Sequence, residues 1–327
     1  MKPFDYRAAT SLSAALKALQ EPGTVAKAGG VDLLDRMKEG LVHPTSLVSL
    51  SRIAGLDGVR DDGKAGARIG ALTTIAALAR DPVLRKRYPV IAEAAAHVAT
   101  PQIRNMATLG GNLVQRPRCW YFRSIDFGCK KKGGDVCFAQ SGENQFHAIA
   151  GNHTCAALHP STMAVALIAC GARVRLASAT ATRDVPLEQF FTPPEVDVTR
   201  ENQLQPGELV SEVLLPAPAT GTRSAYLKQG EKESFDWPIA DVAVVLEMAG
   251  RTCKRASIAL GAIAPVPVKS AAAEAELAGK VVDEGTARAA AKAALGGATP
   301  MTRNRYKLAV FEAVIRRAIV AAAGGVA

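Results

Sequence analysis

Hydrophobic and polar positions recur along the chain with the spacing of helices and strands, and they outline a small α/β unit at its start. Apolar residues follow Ser11 at helical spacing, and the Pro22-Gly23 pair ends this pattern. The predicted elements are a helix at 11–21, a strand at 25–28, a helix at 33–39 and a strand at 46–50. The unit closes near residue 55.

The same alternation continues to about residue 220, with one long interruption. The predicted elements are strands at 68–72, 173–177 and 209–215 and helices at 74–80, 89–99 and 161–169. Residues 113–156, here called the insertion, lack sustained periodicity and are too long for an ordinary connection between elements. The insertion therefore has a purpose other than joining two elements.

A stretch containing prolines and glycine, residues 216–221, is predicted to be a linker. The elements after it are strands at 224–228, 242–248 and 256–263 and alanine-rich helices at 270–279, 284–295 and 303–322. Strands followed by helices are typical of an α+β unit. The predicted organisation is a first domain of residues 1–220, with subdomains of about 1–55 and 56–220, and a second domain of residues 221–327.

Composition and charge argue against two classes of function. The formal net charge is +10, but the basic residues are scattered and only 5% of residues are aromatic, so no nucleic-acid surface is expected. The longest apolar runs, 242–246 and 319–323, are too short to cross a bilayer. No signal peptide is evident in the first twenty residues. We expect a chain made in the cytoplasm, which reaches the periplasm only if a partner's signal exports the folded complex.

The insertion carries four of the six cysteines. Cys119, Cys129, Cys137 and Cys155 have the spacing C-x9-C-x7-C-x17-C and lie among arginines and lysines. A structural zinc site more often shows paired C-x2-4-C motifs. Disulfides are disfavoured without an export signal, whereas a long irregular loop can bring four thiolates to one iron–sulfur cluster. A cluster, a zinc site and unligated thiols all stay open on these residues alone.

The remaining candidate groups point to no acid–base machinery. His147, His153 and His159 keep zinc among the alternatives, but their simpler interpretation is as surface or capping histidines. Cys170 and Cys253 lie beside apolar segments and are predicted to be small core residues. No Ser/His/Asp or Cys/His arrangement and no pair of carboxylates is evident. Any reaction is therefore expected to depend on cofactors.

Two glycine pairs lie where the phosphate groups of a ligand could be held. Gly29-Gly30 falls between a predicted strand and a predicted helix, where free N–H groups and a helix N-terminus can bind phosphate oxygens. Gly110-Gly111 is interpreted as a second loop of the same kind, to which Thr108 and Asn112 can add side-chain hydrogen bonds. The spacing matches neither the Rossmann fingerprint nor a Walker P-loop.

The glycine segments, taken in order with three others, resemble a known family. The segments are 28–34, 102–112, 159–161, 206–210 and 228–229. They are similar to those of the FAD-binding subunits of the molybdenum hydroxylases, a family that includes xanthine dehydrogenase, carbon monoxide dehydrogenase and aldehyde oxidoreductases. The similarity spans nearly the whole chain. It implies an α+β fold, in which a vanillyl-alcohol-oxidase (PCMH)-type FAD-binding domain of two α/β subdomains precedes a C-terminal α+β domain of the carbon monoxide dehydrogenase flavoprotein type.

The resemblance also implies which residues hold FAD. These are Ala26, Lys27, Ala28, Gly29, Gly30, Val31, Asp32, Leu33, Thr108, Gly110, Gly111, Asn112, Thr162, Val210 and Lys228. Two positions depart from the family. Thr162 stands where many relatives carry an acid, and Lys27 stands where they usually carry an apolar residue. The role of the acid is therefore not transferred to Thr162.

The cysteine-containing insertion resembles a smaller branch of the family, whose flavin subunit carries an additional [4Fe–4S] cluster. That branch includes the periplasmic aldehyde oxidoreductase type and the 4-hydroxybenzoyl-CoA reductase type, and residues 159–166 are closer to the former. The resemblance implies that Cys119, Cys129, Cys137 and Cys155 ligate such a cluster.

The function implied by the resemblance is electron transfer within a heterotrimer. A large molybdopterin-binding subunit would oxidise the substrate, most simply an aldehyde. A small subunit with two [2Fe–2S] clusters would relay electrons to the FAD of this chain, and from there they would reach an external acceptor. Two other hypotheses are a stand-alone flavin-dependent oxidoreductase and a zinc-stabilised interaction module.

Overall fold

Three β-sheets follow one another along the chain, with helices packed on them. The computed structural model describes residues 1–232 and 235–325, and the strands of the three sheets lie within residues 5–49, 59–215 and 222–269. The predicted second domain extends over residues 233–234 and 326–327, which lie outside the described residues. The predicted domain boundaries stay predictions.

The first sheet is parallel, and its connections contain helices. Its elements are β1 (Asp5–Ala8), α1 (Leu12–Ala18), β2 (Thr24–Lys27), α2 (Val31–Lys38) and β3 (Ser46–Ser49), with the strand order β1-β3-β2. The Ser11 hydroxyl caps α1 by accepting from the Ala14 N–H. The sequence pattern does not predict β1, because its four side chains are all exposed and show no alternation. The end of β2 leads directly into the glycine pair before α2.

The second sheet is antiparallel, and it joins distant parts of the chain. Its strands are β4 (Val59–Asp61), β5 (Ala67–Gly70), β6 (Arg173–Ala177), β7 (Thr182–Pro186) and β8 (Leu209–Leu215), in the order β4-β5-β8-β6-β7. The helices of this part are α3 (Ile75–Arg80), α4 (Pro82–Arg87), α5 (Pro89–Ala96), α6 (Pro101–Met106), α7 (Leu109–Leu113), α8 (Trp120–Arg123), α9 (Thr162–Ala169) and α10 (Leu187–Phe190). Strand β5 pairs with β8, which places Ile69 opposite Val213. The long segment that contains the insertion therefore begins and ends at two neighbouring strands of this sheet.

The third sheet is antiparallel and is covered by the last helices. Its strands are β9 (Thr222–Gln229), β10 (Ala240–Ala249), β11 (Thr252–Gly261) and β12 (Val268–Lys269), followed by α11 (Ala271–Leu277), α12 (Glu284–Ala294) and α13 (Lys307–Ala322). Every residue of α9 is buried, because this helix packs against β10 and β11 as well as α5. Within residues 1–232 and 235–325, no helix has the length and apolar character needed to cross a membrane.

The insertion contains little regular structure, as its lack of periodicity predicts. Side-chain amides replace the backbone ladders that it lacks. Asn144 donates to the Ala139 carbonyl oxygen at 2.9 Å and accepts from the Arg303 N–H at 3.0 Å. Asn304 donates to the carbonyl oxygen of His147 at 3.2 Å. The hydrogen bonds of these buried amides hold the insertion against the segment just before α13.

Candidate functional site

A main cavity of about 590 Å³ lies where residues of all three sheet regions meet. It is lined by the glycine pair before α2, by α7, by the first turn of α9 and by β8 and β9. All fifteen residues that the sequence implies for FAD line it, namely Ala26, Lys27, Ala28, Gly29, Gly30, Val31, Asp32, Leu33, Thr108, Gly110, Gly111, Asn112, Thr162, Val210 and Lys228. The structure therefore brings this whole set to one place, although the set comes from five separate segments.

The first glycine pair forms an open helix N-terminus. Gly30 has a φ of 80°, which favours glycine, and it is the N-cap of α2 without any side-chain cap. The N-terminal N–H groups of α2 are thus not covered by a capping side chain and can bind an anionic group of a ligand. A Cβ atom on Gly29 would lie 1.9 Å from the Met106 carbonyl oxygen, so the pair also needs glycine to pack against the end of α6.

The second glycine pair is a helix, and its prediction as a loop is wrong. Thr108 caps α7 by accepting from the Gly111 N–H at 3.3 Å, and the Gly110 N–H donates to the Ala71 carbonyl oxygen at 2.8 Å. The Asn112 side-chain oxygen accepts from the Ser161 hydroxyl at 2.7 Å. Several groups expected to bind a ligand are therefore already used by the protein. Gly110 and Gly111 therefore allow a ligand to approach the backbone closely, but they offer it few free N–H donors.

The two positions that depart from the family have polar contacts within the protein. Lys27 Nζ donates to the Ala28 carbonyl oxygen at 3.4 Å, so its side chain lies along the glycine pair. Thr162 is the first residue of α9 and is buried. Lys228, on β9, donates to the His97 carbonyl oxygen at 3.2 Å, and burial lowers its pKa. Lys27, Lys228 and Thr162 thus place two ammonium groups and one hydroxyl in the wall of the main cavity.

Asp32 links the main cavity to the insertion, a contact that the sequence does not reveal. Its carboxylate accepts from Arg36 at 3.0 Å, from Arg123 at 2.6 Å and from the Arg116 backbone N–H at 3.2 Å, and it pairs with Arg118. Burial lowers the pKa of the Arg36 guanidinium, with neighbouring arginines adding to the effect. Arg123 also pairs with Glu39, so two carboxylates compensate three guanidinium groups, and the one positive charge in excess within this group favours an anionic ligand beside α2.

We expect Asp32→Asn to destabilise the fold by roughly 3 kcal/mol, because it leaves the partly buried Arg36 and Arg118 without the carboxylate that pairs with them. Flavin retention should fall in the same variant, since the start of α2 and the residues before Cys119 lose their common partner. Urea unfolding and the flavin content of the purified chain measure the two effects. Asp35→Asn, at an exposed carboxylate on the same helix that also lines the main cavity, is the matched control for stability. Equal stability of the two variants would contradict this role for Asp32.

The four cysteines of the insertion line one small cavity, here called the cysteine cavity. Its volume is about 10 Å³, and Lys131 and aromatic side chains complete its wall. Burial raises the pKa of the Cys119 thiol to about 11. A hydrogen bond with Cys155 lowers the pKa of Cys137 to about 6 and raises that of Cys155. Among residues 1–232 and 235–325, no three His, Cys, Asp or Glu side chains are grouped closely enough for a single metal ion.

The interpretation of the histidines as surface or capping residues is wrong for His147, whereas the ring of His159 accepts from the N–H of Ser161, the N-cap of α9, at 3.3 Å. His147 is 3% exposed, and its Nε2 lies 3.2 Å from the Cys119 Sγ, so a Cys–His contact exists that sequence reasoning missed. His159 is buried against Phe191. Burial lowers the pKa of His147 to about 4 and that of His159 to about 3, which keeps both rings neutral. His153 is exposed, as predicted.

A buried ion-pair group lies beside the cysteine cavity. Lys131 Nζ donates to Glu201 at 2.9 Å and to the Val198 carbonyl oxygen at 2.9 Å. Glu201 also accepts from Arg116 at 2.9 Å. Two cations share one carboxylate, so this group carries net positive charge next to the thiols. Lys131 lies between two half-buried lysines, Lys130 and Lys132, and no local sequence pattern distinguishes it.

Two family profiles match consecutive parts of the chain. The family described as the FAD binding domain in molybdopterin dehydrogenase matches residues 2–218. The family described as the CO dehydrogenase flavoprotein C-terminal domain matches residues 225–322. Together they cover nearly all of the sequence.

Two relatives are similar over almost their whole length. The aldehyde oxidoreductase FAD-binding subunit PaoB of Escherichia coli (strain K12) is 36% identical over 312 residues, which cover 94% of each chain. The carbon monoxide dehydrogenase medium chain of Hydrogenophaga pseudoflava is 31% identical over 325 residues, which cover 98% of this chain and 96% of the relative.

Two solved structures share the fold. Carbon monoxide dehydrogenase from Hydrogenophaga pseudoflava, in a form that lacks the Mo-pyranopterin moiety, matches all of both chains with a TM-score of 0.78 and 31% identity. Quinoline 2-oxidoreductase from Pseudomonas putida 86 matches 99% of each chain with a TM-score of 0.78 and 27% identity. These likenesses confirm the predicted α+β fold, with an FAD-binding domain followed by a carbon monoxide dehydrogenase flavoprotein domain.

Proposed function

The chain belongs to the FAD-binding subunits of the molybdenum hydroxylase family, and from this we propose that it holds FAD in the main cavity and a [4Fe–4S] cluster in the cysteine cavity. Its role is to receive electrons from a partner subunit and to pass them to an external acceptor. The observation that carries the proposal is the convergence of all fifteen implied FAD residues on one cavity. A bound flavin supplies the exchange between one-electron and two-electron transfer that such a role needs.

The shape and charge of the main cavity suit a dinucleotide with a diphosphate. Glycines at positions 29 and 30 leave the start of α2 open, and a Cβ atom on Gly111 would meet only the Thr108 hydroxyl, at 3.1 Å. The arginines around Asp32 add positive charge on the same side. We assign the diphosphate to the part of the main cavity between the N-terminus of α2 and helix α7. We assign the flavin ring to the part that is lined by Thr162, Val210 and Lys228.

The donor set of the cysteine cavity suits an iron–sulfur cluster. Four thiols line the cavity and no carboxylate does, which is the soft donor set that iron–sulfur clusters use. The net positive charge around Lys131 and Arg116 would stabilise a cluster that gains negative charge on reduction. A single zinc ion is supported less well, since the cysteines are not grouped around one point.

The substrate and partners follow by analogy. PaoB, which is 36% identical, is named as a subunit of an aldehyde oxidoreductase, and the relative from Hydrogenophaga is named as a medium chain. We therefore propose an aldehyde as the substrate of the whole enzyme. The proposed partners are a large molybdopterin-binding subunit and a small subunit with two [2Fe–2S] clusters.

A visible spectrum of the anaerobically purified chain, before and after dithionite, tests the cofactor assignment. We expect flavin bands over a broad iron–sulfur absorbance, both of which bleach on reduction, and about four irons per chain with little zinc. A colourless chain that contains zinc would replace the proposal by the interaction-module hypothesis. Flavin without iron would support the assignment of FAD to the main cavity and contradict the assignment of a cluster to the cysteine cavity.

A further inference from the structure

A line of three side chains leads from the wall of the main cavity to a buried carboxylate. Thr162 lines the cavity, and its side chain lies within reach of the Tyr226 hydroxyl, whose pKa it lowers against the larger effect of burial. The Tyr226 hydroxyl in turn donates to Asp241 Oδ2 at 3.2 Å. The three residues are 6%, 5% and 1% exposed. The acid is thus enclosed by protein, and the two hydroxyls connect it to the cavity.

Asp241 is poorly compensated for a buried acid. Among the described residues its Oδ1 has no hydrogen-bond partner, and this oxygen lies against Gly261, where a Cβ atom would be 2.2 Å away. Buried carboxylates are ordinarily paired or accept several hydrogen bonds. Such a group is costly as an anion, and a neutral form that can donate a hydrogen bond becomes accessible. Burial accordingly raises its pKa to about 6.

The charged and titratable groups around Asp241 come from three elements. On β9, Lys228 is its neighbour across the sheet and Tyr226 is its hydrogen-bond donor. At the start of α13, Lys307 is fully buried and bonds the Ala262 carbonyl oxygen at 2.6 Å. From α5, Glu93 accepts from the Tyr226 backbone N–H at 3.1 Å, and the ring of His97, which follows this helix, lies 5.8 Å from that of Tyr226. Both lysines act on Asp241 and lower its pKa, against the larger effect of burial.

The protonation state of Asp241 sets the direction of the hydroxyls. When the carboxylate is ionised, Tyr226 must donate to it, so the Tyr226 oxygen is free to accept from Thr162. The hydroxyl proton of Thr162 is then donated to Tyr226, so Thr162 offers only the lone pairs of its oxygen to the cavity. When Asp241 is protonated, it can donate to Tyr226, which donates to Thr162, whose proton then points to the cavity. The wall thereby changes from acceptor to donor.

We propose that Asp241 is a positioning residue that takes up one proton when negative charge is added to the main cavity, and that Tyr226 and Thr162 convert this uptake into a new hydrogen-bond donor at the cavity wall. The inference rests on the proposed function, because the added charge is that of a reduced flavin. The electrons come from the reductant, and the proton comes from solvent in the cavity. Thr162 and Tyr226 each gain one proton and give up one, and an O–H bond forms at Asp241.

The test is a redox titration of the flavin bound to the full chain, repeated across pH. For the wild-type chain we expect the midpoint potential to show a pH interval, beginning near the ionisation of Asp241, in which reduction takes up about one additional proton. Asp241→Asn should remove this interval. Tyr226→Phe should make the interval smaller, because no hydroxyl then connects Asp241 to Thr162 and the cavity. Glu247→Gln, farther along β10, is the control and should leave the profile unchanged.

The outcomes separate this inference from the proposed function. A wild-type chain that binds no flavin removes the proposed function itself. If flavin is bound and the wild-type profile lacks the additional proton, or if Asp241→Asn keeps it, the inference is overturned while the flavin assignment stands. Should Asp241→Asn fail to retain flavin, the Tyr226→Phe variant decides, and additional proton uptake as large as in the wild type counts against the relay.

Discussion

Replacing Cys137 with serine is expected to remove the iron–sulfur cluster from the chain while most of the flavin stays bound. Cys137 lines the cysteine cavity and shares a hydrogen bond with Cys155, so its thiol is one of the four in the wall of that cavity. A serine hydroxyl keeps its proton at neutral pH and is a poor substitute for a thiolate. Iron should fall from about four per chain to less than about one.

Flavin should survive because the two cavities have different walls. Their main connection is the Asp32 carboxylate, which holds Arg118 and Arg123 on either side of Cys119. Cys119→Ser is therefore expected to lose iron in the same way and to release more flavin than Cys137→Ser. Metal and flavin assays on the same samples measure both effects.

Cys170→Ala provides the control, because this cysteine lies at the end of α9 and does not line the cysteine cavity. It should keep the full iron content. Full iron in Cys137→Ser or Cys119→Ser would show that the ligand assignment is wrong. Equal loss of iron in all three variants would point to general instability of the chain.

Gly29→Ala is expected to abolish most flavin binding. The added Cβ would lie 1.9 Å from the Met106 carbonyl oxygen, which is a backbone atom and cannot rotate away. The chain must then shift either the start of α2 or the end of α6, and both line or support the main cavity. With overpacking costs of about 3 kcal/mol, the affinity for FAD should fall about a hundredfold.

Substitutions in the second glycine pair distinguish two causes of flavin loss, displacement of a helix and direct blocking of the ligand. A Cβ atom on Gly110 would lie 3.0 Å from that of Ala71, so Gly110→Val should weaken flavin retention by displacing α7. Gly111 has only the Thr108 hydroxyl nearby, so Gly111→Val should act by blocking the ligand itself. Both variants should lose flavin, and Gly110→Val should lower the unfolding midpoint more, because its close contacts include the backbone of Ala71.

Equilibrium dialysis against FAD, with thermal unfolding on the same samples, measures these differences. Gly297→Ala is the matched control, because a Cβ atom there meets nothing within 4 Å. It should retain FAD as the wild type does. Undiminished FAD affinity in Gly29→Ala would exclude this glycine pair from the binding site.

Elements with a strong local pattern were predictable from sequence, and those built by distant contacts were not. Strands β6 and β8 have the predicted bounds because their side chains alternate between the core and the surface. The two glycines of helix α7 disfavour a helix and so predict a loop, but the Thr108 cap and the contact with Ala71 override that preference. The exposed strand β1 gives no alternating signal at all.

The sequence by itself determined the family, the fold class, and which glycines and cysteines are candidates for cofactor binding. These follow from the order of short motifs along the chain, which is visible without any knowledge of tertiary contacts. Only the tertiary structure decided which charged groups share one carboxylate at Asp32, that His147 lies on Cys119, and that Thr162 is joined through Tyr226 to Asp241. Burial and pairing arise from residues far apart in the chain, and because they set the energy of a charge, no local pattern can reveal them.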